Sequence, residues 1–114
     1  MIELKSKEDL DKCLEASEGE AIFIFKHSTS CPISATAHRQ ASEYLKIASG
    51  GPTFYLVKVI ESRPVSLELA ERLDVRHQSP QLILIKNKSA LWHDSHYSIT
   101  KESISKAAGK SDLL

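Results

Sequence analysis

Cys31-Pro32-Ile33-Ser34 places a thiol three residues ahead of a hydroxyl, just after the apolar run Ala21 to Phe25 and the polar stretch Lys26 to Ser30. The chemistry open to such a group is thiol–disulfide exchange. Pro32 suits the first position of a helix, because its missing N–H is not needed there and its φ is already helical. Cys31 is then the N-cap, where orphan backbone N–H groups and the positive end of the helix dipole converge. A thiolate is the species these groups stabilise, and cysteines so placed titrate at roughly 3.5 to 7.5. The thiolate is also the attacking form, and a low pKa makes the same sulfur a good leaving group in the next step. Lys26 and His27 lie close enough in sequence to add positive charge, and Ser34 can donate its hydroxyl hydrogen to the sulfur. The plainer alternative is that Cys31 is only a small residue at a helix start; position, proline and downstream serine together favour the redox reading.

Cys13, the second of two cysteines, lies between Leu10 and Leu14 on an apolar stripe. A buried free cysteine there behaves as a small hydrophobe. To resolve a disulfide on Cys31 it would have to meet restrictive geometry, and neither cysteine is expected to be disulfide-bonded at rest.

The elements that must hold Cys31 alternate regularly. Ser6 caps a helix over residues 6–17, with Asp9 three positions on and Leu10, Cys13 and Leu14 at i, i+3, i+4 spacing. Ala21 to Phe25 is continuously apolar, as in a strand buried on both faces. A helix follows from Pro32, with Ile33, Ala37, Ala41, Tyr44, Leu45 and Ala48 on one stripe, until Gly50-Gly51-Pro52 stops it. Residues 53–60 read as the next inner strand, so strand, helix and strand form a right-handed βαβ unit. The loop carrying Cys31 then opens at the carboxyl edge of the parallel pair, where open α/β sheets place their sites. Pro64 starts another helix with Val65, Leu69 and Leu73 inward. Residues 81–85 and 90–96, joined by Asn87-Lys88-Ser89, form a hairpin. Thr100 caps a last helix in which Ile99 staples onto Ile104 and which Gly109 ends. The order is α-β-α-β-α-β-β-α, with no internal repeat and no linker beyond the last few residues.

At 114 residues the chain is of single-domain size and can bury a modest core without disulfide staples; one domain over 1–114 is expected. Fifteen basic side chains balance fifteen acidic ones without long blocks of either sign, which argues against nucleic-acid or anionic-membrane partners. The longest apolar runs are far short of a membrane span, and the N-terminus mixes charges without an apolar signal core. A soluble, cytoplasmic protein, a monomer by its hydrophobic pattern, is the expectation.

The histidines are assigned bland roles. His93 and His96 at i, i+3 in a strand point to opposite faces and do not chelate together, so no metal is expected. His27 is read as a loop residue near Cys31, and His38 as an exposed helix residue despite its spacing of four from Ser34. Trp92, Tyr97 and Tyr55 are read as core or edge packing groups.

Three stretches in order, Cys31-Pro32-Ile33-Ser34, then Ser79-Pro80-Gln81 entering a strand, then residues 92–100 (WHDSHYSIT), resemble the YtxJ-like monothiol bacilliredoxins of the thioredoxin-like superfamily. The resemblance covers essentially the whole chain. The family usually has threonine before the cysteine; Ser30 keeps the hydroxyl and joins His27, Pro32 and Ser34 as the expected thiolate-supporting group. Gln78 stands where an acidic residue is usual, a difference that bears on partner preference more than on chemistry. The resemblance implies a thioredoxin-like α/β fold, with a central mixed β-sheet flanked by helices on both faces. It also implies that Ser79-Pro80 is a cis-proline turn beside Cys31, whose backbone pairs with an extended substrate as an added strand would.

A second cysteine is missing at position 34, so the implied cycle is monothiol. Cys31 attacks a small thiol carried by another protein's cysteine, frees that client, and keeps the small thiol until an external thiol regenerates it. The resemblance implies that the small thiol is bacillithiol, a co-substrate rather than a bound cofactor, and that S-bacillithiolated proteins are the partners. Lys26, Arg39 and Arg76 are weak candidates for its malate carboxylates. Two alternatives stand beside this enzyme reading. One is an iron–sulfur cluster carrier of the monothiol-glutaredoxin kind, against which Pro32 replaces the glycine such carriers have after cysteine. The other is a redox-inactive docking module, for which a thiol pKa of about 8 or higher would speak.

Overall fold

Ile22, Phe23, Ile24, Phe25, Lys26 and His27 are all buried in a computed structural model that describes residues 1–111. A strand buried along its whole length needs cover on both faces. It gets this as the central strand, β2 (Ile22–His27), of a five-stranded sheet ordered β1-β3-β2-β4-β5. The other strands are β1 (Ile2–Glu3), β3 (Thr53–Lys58), β4 (Gln81–Lys86) and β5 (Ser89–Ser95). β1 and β2 run parallel to β3, while β2–β4 and β4–β5 are antiparallel, so the sheet is mixed.

Side-chain alternation divides β2 between two cores. Ile22 and Ile24 face helices α1 (Lys7–Ala16) and α3 (Arg63–Leu73), packing with Leu10, Cys13, Leu14, Val65 and Leu69. Phe23 and Phe25 face α2 (Pro32–Ile47) and α4 (Lys101–Lys110), packing with Ala37, Ala41, Tyr44, Ile104 and Ala107. The expected stripes are therefore the buried ones, and Ser6 and Thr100 accept from Asp9 N and Ser103 N as N-caps.

Several boundaries differ from the sequence reading. β1 was not expected; at two residues it is too short to show a period, and it exists because Ile2 and Glu3 pair with Tyr55 and Leu56 at the sheet edge. β2 runs on to His27, since its backbone keeps pairing with β3 beyond the apolar residues. α3 opens at Arg63 under Ser62, with Pro64 in its second position. The hairpin link is two residues, Asn87 and Lys88, both with positive φ (53° and 61°), the pattern that matches strand twist. α4 passes through Gly109 to Lys110, and residues 112–114 of the expected tail lie outside the described residues.

Candidate active site

Cys31 is the N-cap of α2, in extended conformation (φ −109°, ψ 122°), with Pro32 in the first turn. Its side chain is half-buried and unpaired in any disulfide. The loop Ser28 to Ser30 closes on it through Cys31 N–H donating to the Ser28 carbonyl at 3.4 Å. No side chain caps this helix; the first-turn amides of Ile33 and Ser34 have no intrahelical acceptor and, with the dipole, point at the cap.

Ser34 occupies the third helical position and is fully buried. Its hydroxyl is not directed to the sulfur as the sequence suggested. Ser34 Oγ accepts from Ser28 N–H at 2.9 Å and lies 2.7 Å from His27 Nδ1. Ser30 is exposed, with its hydroxyl 3.3 Å from that of Ser28.

His27 is not a loop residue. It ends β2, is 8% exposed, and stacks on Phe25 with ring centroids 5.5 Å apart. Burial first, then the neighbouring His38, lowers its pKa from the ordinary histidine value. A neutral imidazole adds no positive charge beside the thiol, which corrects that expectation. His38 is likewise corrected: it is half-buried one turn beyond Ser34, its ring 4.8 Å from that of His27. The i, i+4 spacing to Ser34 was the available signal.

Lys26 also departs from the reading. It shares the face of Ile22 and Ile24, opposite to α2, and is fully buried. Burial depresses its pKa to about 8. Neither support of Cys31 nor contact with a solvent-borne carboxylate suits that position. Arg39 and Arg76 are exposed; Arg39 lies eight residues into α2, about 12 Å along its axis from the cap.

The Ser79–Pro80 peptide is cis. Register places Pro80 level with His27, one step beyond the Lys26–Gln81 pair and at the sheet end from which the Cys31 loop departs. Pro80 is buried, and its carbonyl accepts from His96 N–H at 3.1 Å. His96 lies past the end of β5, opening a 3-10 turn (His96–Ser98) with φ 54°, so the strand argument about His93 and His96 does not describe it. Tyr97 in this turn is 72% exposed rather than a packing group. Trp92 and Tyr55 do pack against the two cores.

Cys13 is buried at the α1 face of the sheet, away from α2, and burial pushes its thiol up to about 12. Of the two cysteines, only Cys31 reaches solvent.

The family model described as monothiol bacilliredoxin BrxC matches residues 2–104. The chain belongs to this bacilliredoxin family. Among solved structures, the bacilliredoxin is similar to a protein assigned as an oxidoreductase with a thioredoxin fold, at 30% identity and TM-score 0.83, over 93% of this chain and 91% of that one. It also overlays the thioredoxin of Fasciola hepatica at 17% identity and TM-score 0.67, over 97% and 99% of the two chains. Schistosoma mansoni thioredoxin pre-protein gives 21% identity and TM-score 0.73, over 96% of each. The bacilliredoxin thus has the thioredoxin fold expected from its sequence, and its family is one of thiol–disulfide oxidoreductases. No described helix is long and apolar enough to cross a membrane.

Proposed function

We propose that this bacilliredoxin removes bacillithiol from S-bacillithiolated proteins by a monothiol cycle on Cys31, in the cytoplasm and as a monomer. In the first step the Cys31 thiolate attacks the bacillithiol sulfur of the client's mixed disulfide. The client sulfur leaves as a thiolate and takes a proton from water, while Cys31 and bacillithiol are joined by a new S–S bond. A second thiolate, from an external thiol, then attacks the bacillithiol sulfur, releases Cys31 and carries the oxidised disulfide away. No electron is gained or lost beyond this exchange of disulfide bonds.

The observation that carries the reading is the separation of the two thiols. Cys31 is a half-exposed N-cap with Ser34 three residues on, and Cys13 is buried with a raised pKa on the other face of the sheet. An internal resolving thiol is therefore missing among the described residues, and turnover calls for an external one. The first-turn amides of α2 converge on the Cys31 cap, and Ser79 with Pro80, at the sheet end from which the Cys31 loop departs, would be the surface on which an extended client is read.

The test is an intact-mass time course of reduced protein mixed with a bacillithiolated model client, run beside a glutathionylated one. Bacillithiol mass on Cys31 with release of reduced client, and slow reaction with the glutathione adduct, is the expected result. Absence of transfer from either client would sink the proposal.

A further inference from the structure

Positive charge gathers where α3 begins, beside the loop that leads into the cis-proline. Lys26 Nζ is buried without a hydrogen-bond partner among the described residues, and so is Ser79 Oγ in that loop. Lys26 and Gln81 are ladder partners, so their side chains share a face of the sheet, the one that α3 covers. Gln81 Nε2 donates to the Arg76 carbonyl at 3.0 Å, and the next residue, His77, has its Nδ1 3.4 Å from Ser66 Oγ near the start of α3. The end of β2, the start of β4, this loop and the head of α3 therefore meet around Lys26. Arg63, the first residue of α3, is exposed and has no ion pair among the described residues. Ser62 supplies no side-chain cap, so orphan first-turn N–H groups and the positive end of the dipole add to the guanidinium. Burial first, then Lys26 and Arg63, hold the His77 pKa below the ordinary histidine value, and no acid acts the other way. Glu61, just before the cap, acts instead on His27, which stacks on Phe25 at the α2 face.

The head of α3 borders the same opening as the thiol. β2 and β3 are parallel neighbours, yet α2 leaves β2 to one face of the sheet and α3 leaves β3 to the other. Between two such departures an open α/β sheet has a crevice outside its carboxyl edge, where ligands bind. Cys31 heads α2 on one bank and Arg63 heads α3 on the other. Val59 N–H, donating to the His27 carbonyl at 2.9 Å, joins the two loops at the floor.

We propose that Arg63 and His77, with the first-turn amides of α3, form an anion seat for the malate end of bacillithiol, above the uncompensated charge of Lys26. The inference rests on the proposed bacillithiol cycle and deepens it by naming the groups that read this thiol. Malate offers carboxylates, and a guanidinium fork, an imidazole N–H and helix-end amides are donors that carboxylates accept from. Lys26 contributes through its field and not by contact, since no solvent-borne group reaches it; a low-dielectric wall strengthens such a field in a cleft. Arg76 is adjacent to His77 in the chain but is not among the charges that act on it, and it stands outside the seat.

The experiment is an NMR titration of the full chain with three probes that carry a methyl thioether in place of the disulfide and cannot exchange. They are S-methyl bacillithiol, its cysteinyl-glucosamine core without malate, and an S-methylcysteine peptide flanked by glutamates. S-methyl bacillithiol should bind about tenfold tighter than the malate-free core, the scale of one charge-assisted hydrogen bond. It should also raise the His77 pKa, because a carboxylate beside an imidazole favours the charged form. Arg63→Gln should erase the difference between these two probes. Arg76→Gln, an equal loss of exposed charge outside the seat, should leave that difference within about twofold. Melting curves check that both variants remain folded. Equal affinity for the two thiol probes, a His77 pKa that ignores malate, or equal losses from the two arginine variants would each overturn the inference. A glutamate peptide that alone raises the His77 pKa would put the carboxylate on the client and overturn it as well. Binding is read here without exchange. Malate-dependent binding by a protein that transfers no bacillithiol therefore defeats only the proposed function, and transfer without malate dependence defeats only this inference.

Discussion

Lys26 on β2 and Gln81 on β4 are direct partners across the antiparallel ladder, yet Lys26 Nζ and Gln81 Oε1 are both buried without a hydrogen-bond partner among the described residues. Gln81 instead turns its amide N–H to the Arg76 carbonyl at 3.0 Å, which ties the loop before the cis-proline to the start of β4. A buried ammonium without an acceptor opposes folding.

The consequence is a pH dependence with a defined sign. Lys26 has its pKa lowered to about 8 in the folded chain from 10.5. Between those values the unfolded chain binds more protons, so stability rises with pH across that window. Lys26→Met should stabilise the protein at neutral pH by up to roughly 3 kcal/mol, and its advantage should shrink through the same window. Cys13 acts oppositely: its folded thiol stays protonated to about 12 while the unfolded one ionises near 9, so stability is lost as pH rises between them. That loss is common to both proteins and cancels in the difference. Urea melts of the two at several pH values check the prediction, and parallel stability curves would refute it.

The two cysteines should separate cleanly under mutation. Cys31→Ser removes the only thiol that reaches solvent and should abolish transfer of a small thiol. Cys13→Ser should leave transfer rates within about twofold while lowering stability by about 1–3 kcal/mol, because it puts a hydroxyl in an apolar site. A Cys13→Ser protein that accepts bacillithiol but cannot be regenerated would assign Cys13 the resolving role denied to it above.

Restoring a thiol at position 34 tests the geometry of the helix start. Ser34→Cys places two sulfurs at the N-cap and the third helical position of α2, the arrangement of a C-x-x-C turn. Oxidised variant should lose two hydrogens in intact mass with no dimer formed. A fully reduced monomer after mild oxidation would show that the side chain at 34 does not reach back to the cap.

Lys88 is the hairpin residue with the poorest conformational match. Its φ of 61° lies in the left-handed region, where a side chain costs about 1 kcal/mol. The Lys88–Glu18 ion pair, 3.2 Å between half-exposed side chains, offsets little of that. Lys88→Gly should therefore raise the unfolding midpoint, with an expected gain of about 0.5–1 kcal/mol; a loss of stability would mean that the ion pair outweighs the backbone.

Local rules made much of this chain readable. The N-cap position of Cys31 follows from one proline after a strand, because both constraints act within four residues. The inward stripes of α1, α2 and α3 follow from spacing alone, and the periods match what the cores bury. The absence of a second thiol at position 34 is also a property of the sequence, and with it the monothiol character of any cycle run at this site.

Other features needed the assembled sheet. Lys26 and His27 are adjacent in sequence and both polar, so proximity suggested two charges near Cys31. Pleating sends them to opposite faces, and the cover on each face buries one ammonium and holds one imidazole neutral. The alternation Ile22, Ile24, Lys26 carried the first of these facts, but polarity outweighed it in the reading. Ser34 was expected to serve the sulfur; only the turn of the loop and the end of β2 bring Ser28 N–H and His27 Nδ1 to its hydroxyl instead. Sequence settles which groups exist and how far apart they stand along a helix or strand. Which of them share a donor or lose their charge is decided by contacts between elements, and those arise only when the layers close.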